Sequence, residues 1–165
     1  MRISLFSVLL FFLVTATAQS QQTLPSVTLK DVNGKNKNVN EYAKSGKITI
    51  INFWATWCTP CKKELTNIND NLLETWQEKY NVELVAVSID DAKNVLKVKP
   101  YIDGQGWEFD VLLDVNGDLK RALNVNNVPY TILLDQKGNI VWKHESYVEG
   151  NEYILDEQIK KLAGL

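Results

Sequence analysis

Cysteine and histidine are scarce in this chain of 165 residues, which has two of the first and one of the second. A structural zinc site wants four ligands, so two thiols and a remote His144 exclude it, although two thiolates alone can hold copper(I). Covalent haem attachment would need histidine directly after Cys61, where Lys62 stands. No basic cluster suits nucleic acid, no internal repeat suggests a solenoid, and no motif calls for a cofactor or a resident metal. The apolar stretch Ile3 to Val14 has 12 residues, short of the roughly 20 that a membrane-spanning helix needs.

That stretch has another reading. A basic Met1-Arg2 start, the apolar run and the small residues Ala16-Thr17-Ala18 form the pattern of a secretory signal peptide, with an uncleaved anchor as the alternative. Cleavage after residue 18 leaves 147 residues, enough for one well-buried core. The expected organisation is a signal peptide at 1–18, a flexible polar lead-in at 19–25 and one domain at 26–165. Loss of Arg2 takes the formal charge from -2 to -3, with 17 basic and 20 acidic residues, so no strong field of one sign selects a partner. No stable membrane insertion is expected after cleavage.

The two cysteines stand together in Trp57-Cys58-Thr59-Pro60-Cys61. Upstream, Ile48 to Trp54 is an apolar, β-rich run that reads as a buried strand; downstream, Lys62 to Lys79 carries apolar residues at helical spacing. Cys58 therefore falls where a strand turns into a helix. Unpaired amides and the macrodipole at a helix start favour an anion and lower a thiol's pKa, and Pro60 is tolerated in that first turn. The spacing brings Cys61 to the same side. Cys58 is assigned as the more exposed attacking thiol and Cys61 as the resolving thiol. A purely structural disulfide is the competing reading, but so short a loop removes little chain entropy, and the copper(I) site stays open.

The remaining pattern reads as mixed α/β. Val27 to Lys30 enters a turn at Asp31 to Lys35 and returns at Lys37 to Asn40, an N-terminal hairpin. Val82 to Ile89 is a second strong strand, after which Asp90-Asp91 can cap a weaker helix that Pro100 interrupts and Gly104-Gln105-Gly106 ends. Val111 to Leu113 is a short apolar run, Gly117 to Leu123 a short helix, Tyr130 to Leu134 and Ile140 to Lys143 a strand pair, and Tyr153 to Leu162 an amphipathic final helix. Helices alternating with strands, then an antiparallel pair, imply a central mixed sheet covered on both faces.

Three stretches carry a resemblance to a known family: Asn52-Phe53-Trp54-Ala55-Thr56-Trp57-Cys58-Thr59-Pro60-Cys61-Lys62-Lys63-Glu64, Val128-Pro129-Tyr130-Thr131 before a strand, and Asp135-Gln136-Lys137-Gly138 in a turn. The chain resembles the thioredoxin superfamily and, within it, the exported TlpA/ResA branch of thiol-disulfide oxidoreductases. The resemblance implies a thioredoxin fold with an N-terminal β-hairpin extension, and thiol-disulfide exchange through Cys58 and Cys61. It implies a cis Val128-Pro129 peptide facing the disulfide, leaving the Val128 backbone open to an extended substrate segment. Implied partners are exported proteins with disulfides and a membrane electron donor. Cytochrome c maturation is one role of the family, and a reductant the expected direction, with oxidant or isomerase as alternatives and a copper(I)-binding or non-catalytic module outside the enzyme class.

Several positions refine this. Asn52 stands where cytoplasmic thioredoxins have a buried aspartate, and asparagine cannot titrate. Glu64, one helical turn beyond Cys61, matches a glutamate of the TlpA/ResA branch and is expected to tune the thiols or relay a proton, the alternative being a solvated surface carboxylate. Trp57 abuts Cys58 and is set apart from Trp54, Trp76, Trp107 and Trp142, which read as core or groove aromatics. Thr59 replaces the glycine of thioredoxin, Asn124 replaces a glycine of many relatives, and His144 to Tyr147 replace small residues, with His144 expected at the surface. A peroxidase is disfavoured because Ile51 and Trp54 stand where the peroxiredoxin pattern needs proline.

Overall fold

The computed structural model describes residues 22–165. The expected signal peptide at residues 1 to 18 and the start of the polar lead-in lie outside the described residues. Among the described residues, seven strands form one mixed sheet: β1 (Thr28–Asp31), β2 (Asn36–Asn38), β3 (Ile48–Trp54), β4 (Val82–Ser88), β5 (Asp110–Leu113), β6 (Tyr130–Leu134) and β7 (Ile140–Glu145), in the order β2-β1-β5-β4-β3-β6-β7. β3, β4 and β5 are parallel, while β6 and β7 continue antiparallel on one side and the β1–β2 hairpin on the other.

Side chains alternate across a strand, and both faces of this sheet are covered, so β3 and β4 read as continuous apolar runs. Ile48, Ile50 and Trp54 of β3, with Leu84 and Ala86 of β4, join one core; Ile51, Phe53, Val85 and Val87 join the other. The first core is closed by α1 (Thr59–Ile68), α2 (Glu74–Tyr80), α3 (Val98–Gln105) and α5 (Asn151–Leu162). The second is closed by the turn at Val39–Lys44 and by α4 (Asp118–Ala122). α1 and α2 run on through a π-helical turn at Asn69–Leu73, and the helix stops at Asn81, which adopts a left-handed backbone with φ 53°. Asn124 is also left-handed at φ 55°, a conformation asparagine tolerates.

The thioredoxin-like arrangement expected from sequence is present, with three local corrections. Pro100 does not interrupt α3, because the helix starts at Val98 and proline occupies its first turn, where its absent N–H has no intrahelical partner. Asp90 does not cap that helix; it is buried and turned toward Thr56, and Asp91 instead accepts from the backbone of Lys93 and Asn94. The end of the lead-in is held rather than flexible: Leu24 is buried, Thr23 bridges to Asn139, and the Ile140 amide donates to the Gln22 carbonyl. His144 lies next to the end of the edge strand β7, partly exposed, and stacks flat on Trp142 with ring centroids 5.3 Å apart.

Candidate active site

β3 delivers the chain to Ala55, and α1 begins at Thr59, with Cys58 between them as the helix N-cap. The Cys58 amide donates to the Ala55 carbonyl at 3.0 Å, and its Sγ accepts from the Cys61 amide at 3.3 Å. Pro60 takes an early α1 position, where helix geometry needs no N–H. Cys58 and Cys61 are joined in a disulfide with Cα atoms 5.3 Å apart. Cys58 is 5% exposed and Cys61 is fully buried, while Trp57 beside them is 61% exposed. One sulfur therefore has the readier access to a partner.

A buried carboxyl fixes the approach to the disulfide. Asp90 follows β4 and accepts from the Thr56 amide at 2.8 Å, the Thr56 hydroxyl at 2.6 Å and the Ser88 hydroxyl at 2.9 Å. The Ile89 amide donates to the Trp54 carbonyl at 2.9 Å, which carries the β3–β4 register one step further. Trp54 packs edge-on to Trp107, and Lys62 lies 5.3 Å over the Tyr101 ring on α3. The residues flanking Cys58 are thus anchored to β4 and α3.

Glu64 is not a surface residue. It shares the buried stripe of α1 with Cys61, Leu65 and Ile68, and is only 4% exposed. Asn52 Nδ2 donates to Glu64 Oε2 at 3.0 Å, and the Thr131 hydroxyl donates to Glu64 Oε1 at 3.1 Å. Burial pushes the Glu64 carboxyl up from 4.5 to about 7, against the lowering pull of the Asn52 and Thr131 hydrogen bonds and with the Glu152 charge adding to the rise. A group poised there exchanges protons near neutrality.

The peptide bond between Val128 and Pro129 is cis, and Val128 packs against the core that contains both cysteines. The Pro129 carbonyl accepts from the Ser146 amide at 2.9 Å, tying this loop to the segment after β7. Trp54, Trp76 and Trp107 are buried, and Trp142 is half-buried, in keeping with core or groove roles. Among the described residues, no group of three or more His, Cys, Asp or Glu side chains is placed to hold a metal ion. Sequence reasoning missed Asp90 and Thr56 as a pair, because only the fold brings them together.

Residues 20–143 match the AhpC/TSA family. The chain belongs to that family. Within it the relatives are thioredoxin-like: the chain is 31% identical to thiol-disulfide oxidoreductase ResA of Geobacillus kaustophilus, over 79% of this chain and 71% of that protein. It is 33% identical to thioredoxin-like protein YneN of Bacillus subtilis, over 74% and 69% of the two. The solution structure of an uncharacterized thioredoxin-like protein from Porphyromonas gingivalis superposes with a TM-score of 0.76 at 45% identity, covering 86% of this chain and 92% of that one. This member of the family is accordingly a thioredoxin-like thiol-disulfide oxidoreductase.

Proposed function

We propose that this oxidoreductase works outside the cytoplasm, after cleavage near Ala18, and reduces disulfides of exported proteins through Cys58 and Cys61. The observation that carries the reading is the disulfide between two cysteines at the start of α1, one of them the less buried and adjacent to an exposed tryptophan. In the reduced protein the Cys58 thiolate attacks one sulfur of a substrate disulfide, and the other substrate sulfur leaves as a thiolate. Cys61 then attacks Cys58 Sγ. The internal disulfide forms, the second substrate thiolate is released, and two electrons have passed to the substrate. Re-reduction falls to a membrane electron donor.

Four residues support the thiols. Glu64, one turn along the same buried stripe as Cys61, takes the proton that Cys61 loses on becoming a nucleophile. Val128, beside Pro129, offers its backbone to an extended substrate segment. Trp57 supplies apolar contact beside the attacked sulfur, and Pro60 holds the first turn of α1. Maturation of c-type cytochromes is the process in which such a reductant fits.

Two measurements test the reading. Equilibration in graded thiol-disulfide buffers gives the reduction potential; a value towards ~-270 mV agrees with a reductase, and one towards ~-120 mV reverses the direction of electron flow. A Cys61→Ala protein should accumulate mixed disulfides with exported proteins through Cys58. If Cys58→Ala traps as much, the assignment of attacking and resolving sulfurs is overturned.

A further inference from the structure

Asn52 on β3 and Thr131 on β6 are register partners, and both are buried beside Glu64. Their side chains close a triangle. Asn52 Nδ2 donates to Glu64 Oε2 at 3.0 Å and to Thr131 Oγ1 at 2.9 Å, while Thr131 Oγ1 donates to Glu64 Oε1 at 3.1 Å. Both carboxyl oxygens receive a donor, the pattern an ionised glutamate needs. The Asn52 Oδ1 is left buried without a hydrogen-bond partner.

A proton on Glu64 Oε2 would meet the Asn52 amide donor against donor. The three side chains hold the repair among themselves. A half turn of the Asn52 amide brings Oδ1 to the place of Nδ2, where it accepts from the Glu64 O–H and from the Thr131 hydroxyl, whose hydrogen swings away from Glu64 Oε1. Each orientation leaves one end of the amide unpartnered, Oδ1 in the first and Nδ2 in the second. The first pattern holds three hydrogen bonds and the second two, with Glu64 Oε1 left bare in the second, so the first is kept while Glu64 is ionised and the second is reached only when a proton on Oε2 must be accommodated.

We infer that Asn52 and Thr131 are positioning residues for thiol-disulfide exchange, forming a two-position hydrogen-bond switch that turns with the proton on Glu64. The inference rests on the role proposed above for Glu64 and adds the means by which a buried carboxyl is accommodated in both charge states. Other groups bear on the same carboxyl: Cys61 one turn earlier on α1, Glu152 at the start of α5 and Tyr147 after β7. On β3 and β6 the polar groups in contact with it are Asn52 and Thr131 themselves.

The test is carbon and nitrogen NMR on the oxidised protein, with Glu64→Gln identifying the Glu64 carboxyl signal. The Asn52 side-chain amide resonances should shift with the same midpoint as the Glu64 carboxyl, and should lose that dependence in Glu64→Gln. Thr131→Val keeps the shape but removes a donor to the carboxylate, and should raise the Glu64 midpoint by about one pH unit. Asn52→Ala should raise it as well, and Thr131→Ser should restore the wild-type value. Asn52 signals indifferent to Glu64, or a Thr131→Val protein that titrates as wild type, would overturn the switch. A Glu64→Gln protein that keeps the wild-type pH profile of exchange would instead remove the role of Glu64, leaving the titrations to judge the switch separately.

Discussion

Thr56 donates both its backbone amide and its hydroxyl to Asp90, at 2.8 and 2.6 Å, across 34 residues of sequence. The pair joins the loop that precedes Cys58 to the end of β4, and Asp90 is fully buried. Deleting one partner strands the other away from water, which costs more than the hydrogen bond contributes.

Asp90→Ala should therefore lower stability by about 3 kcal/mol, whereas Thr56→Val, which keeps the amide donor, should lower it by about 1 kcal/mol. Asp90→Ala should slow exchange at Cys58 because the loop loses its anchor, and Thr56→Val should slow it less because the amide bond remains. Urea unfolding and thiol alkylation of the reduced proteins measure the two effects. Unaltered alkylation in Asp90→Ala would separate this carboxyl from the active-site loop.

Gly138 sits in the β6–β7 turn at φ +80°, and a Cβ there would lie 2.1 Å from the Ala43 carbonyl oxygen. Gly34 has a similar φ of +84° with nothing within 4 Å. Gly34→Ala should cost about 1 kcal/mol, the left-handed strain alone, and Gly138→Ala about 3 kcal/mol because backbone must move as well. Denaturant midpoints compare them, with unchanged slopes expected for both. Equal losses would mean that the approach of Ala43 carries no energetic weight.

These residues show what could be read in the chain beforehand. β3 and β4 were legible because burial on both faces leaves an unbroken apolar run, and Cys58 was legible because spacing alone places it between a strand and a helix. Periodicity put Glu64 on α1 but could not bury it, since burial depends on Asn52 and Thr131, which lie 12 and 67 residues away in sequence. Asp90 satisfied the local pattern of a helix cap, and only the parallel pairing of β3 with β4 turns it to Thr56. Pro100 was misplaced because a proline marks a helix start as readily as a break. Local chemistry carried the elements; contacts distant in sequence carried the polar clusters.

Trp76 on α2 donates its indole N–H to Asp156 on α5 at 2.8 Å, and Lys160 approaches the other carboxyl oxygen at 2.6 Å. The tryptophan is fully buried, so its donor has no alternative partner in water. Asp156→Ala should cost about 2 kcal/mol, most of it from the stranded indole, and Lys160→Ala far less because that ammonium is solvated. Thermal unfolding of the two variants gives the comparison. Equal small losses would assign the docking of α5 to Leu155 and Ile159 packing instead.

Glu64 makes the stability of the oxidised protein depend on pH. Its carboxyl titrates near 4.5 when unfolded and at about 7 when buried, so the native state holds a proton that the unfolded chain has released. That contribution is fully present below about 4.5, shrinks as the pH climbs, and is gone above about 7. The loss over this window is on the order of 3 kcal/mol. Glu64→Gln cannot ionise, so its stability should fall less across the same window, and the two curves should diverge with rising pH. Urea unfolding between pH 4.5 and 8 tests this. Parallel curves would mean that the carboxyl titrates at its ordinary value in the native state and cannot serve as the proton acceptor for Cys61 near neutrality.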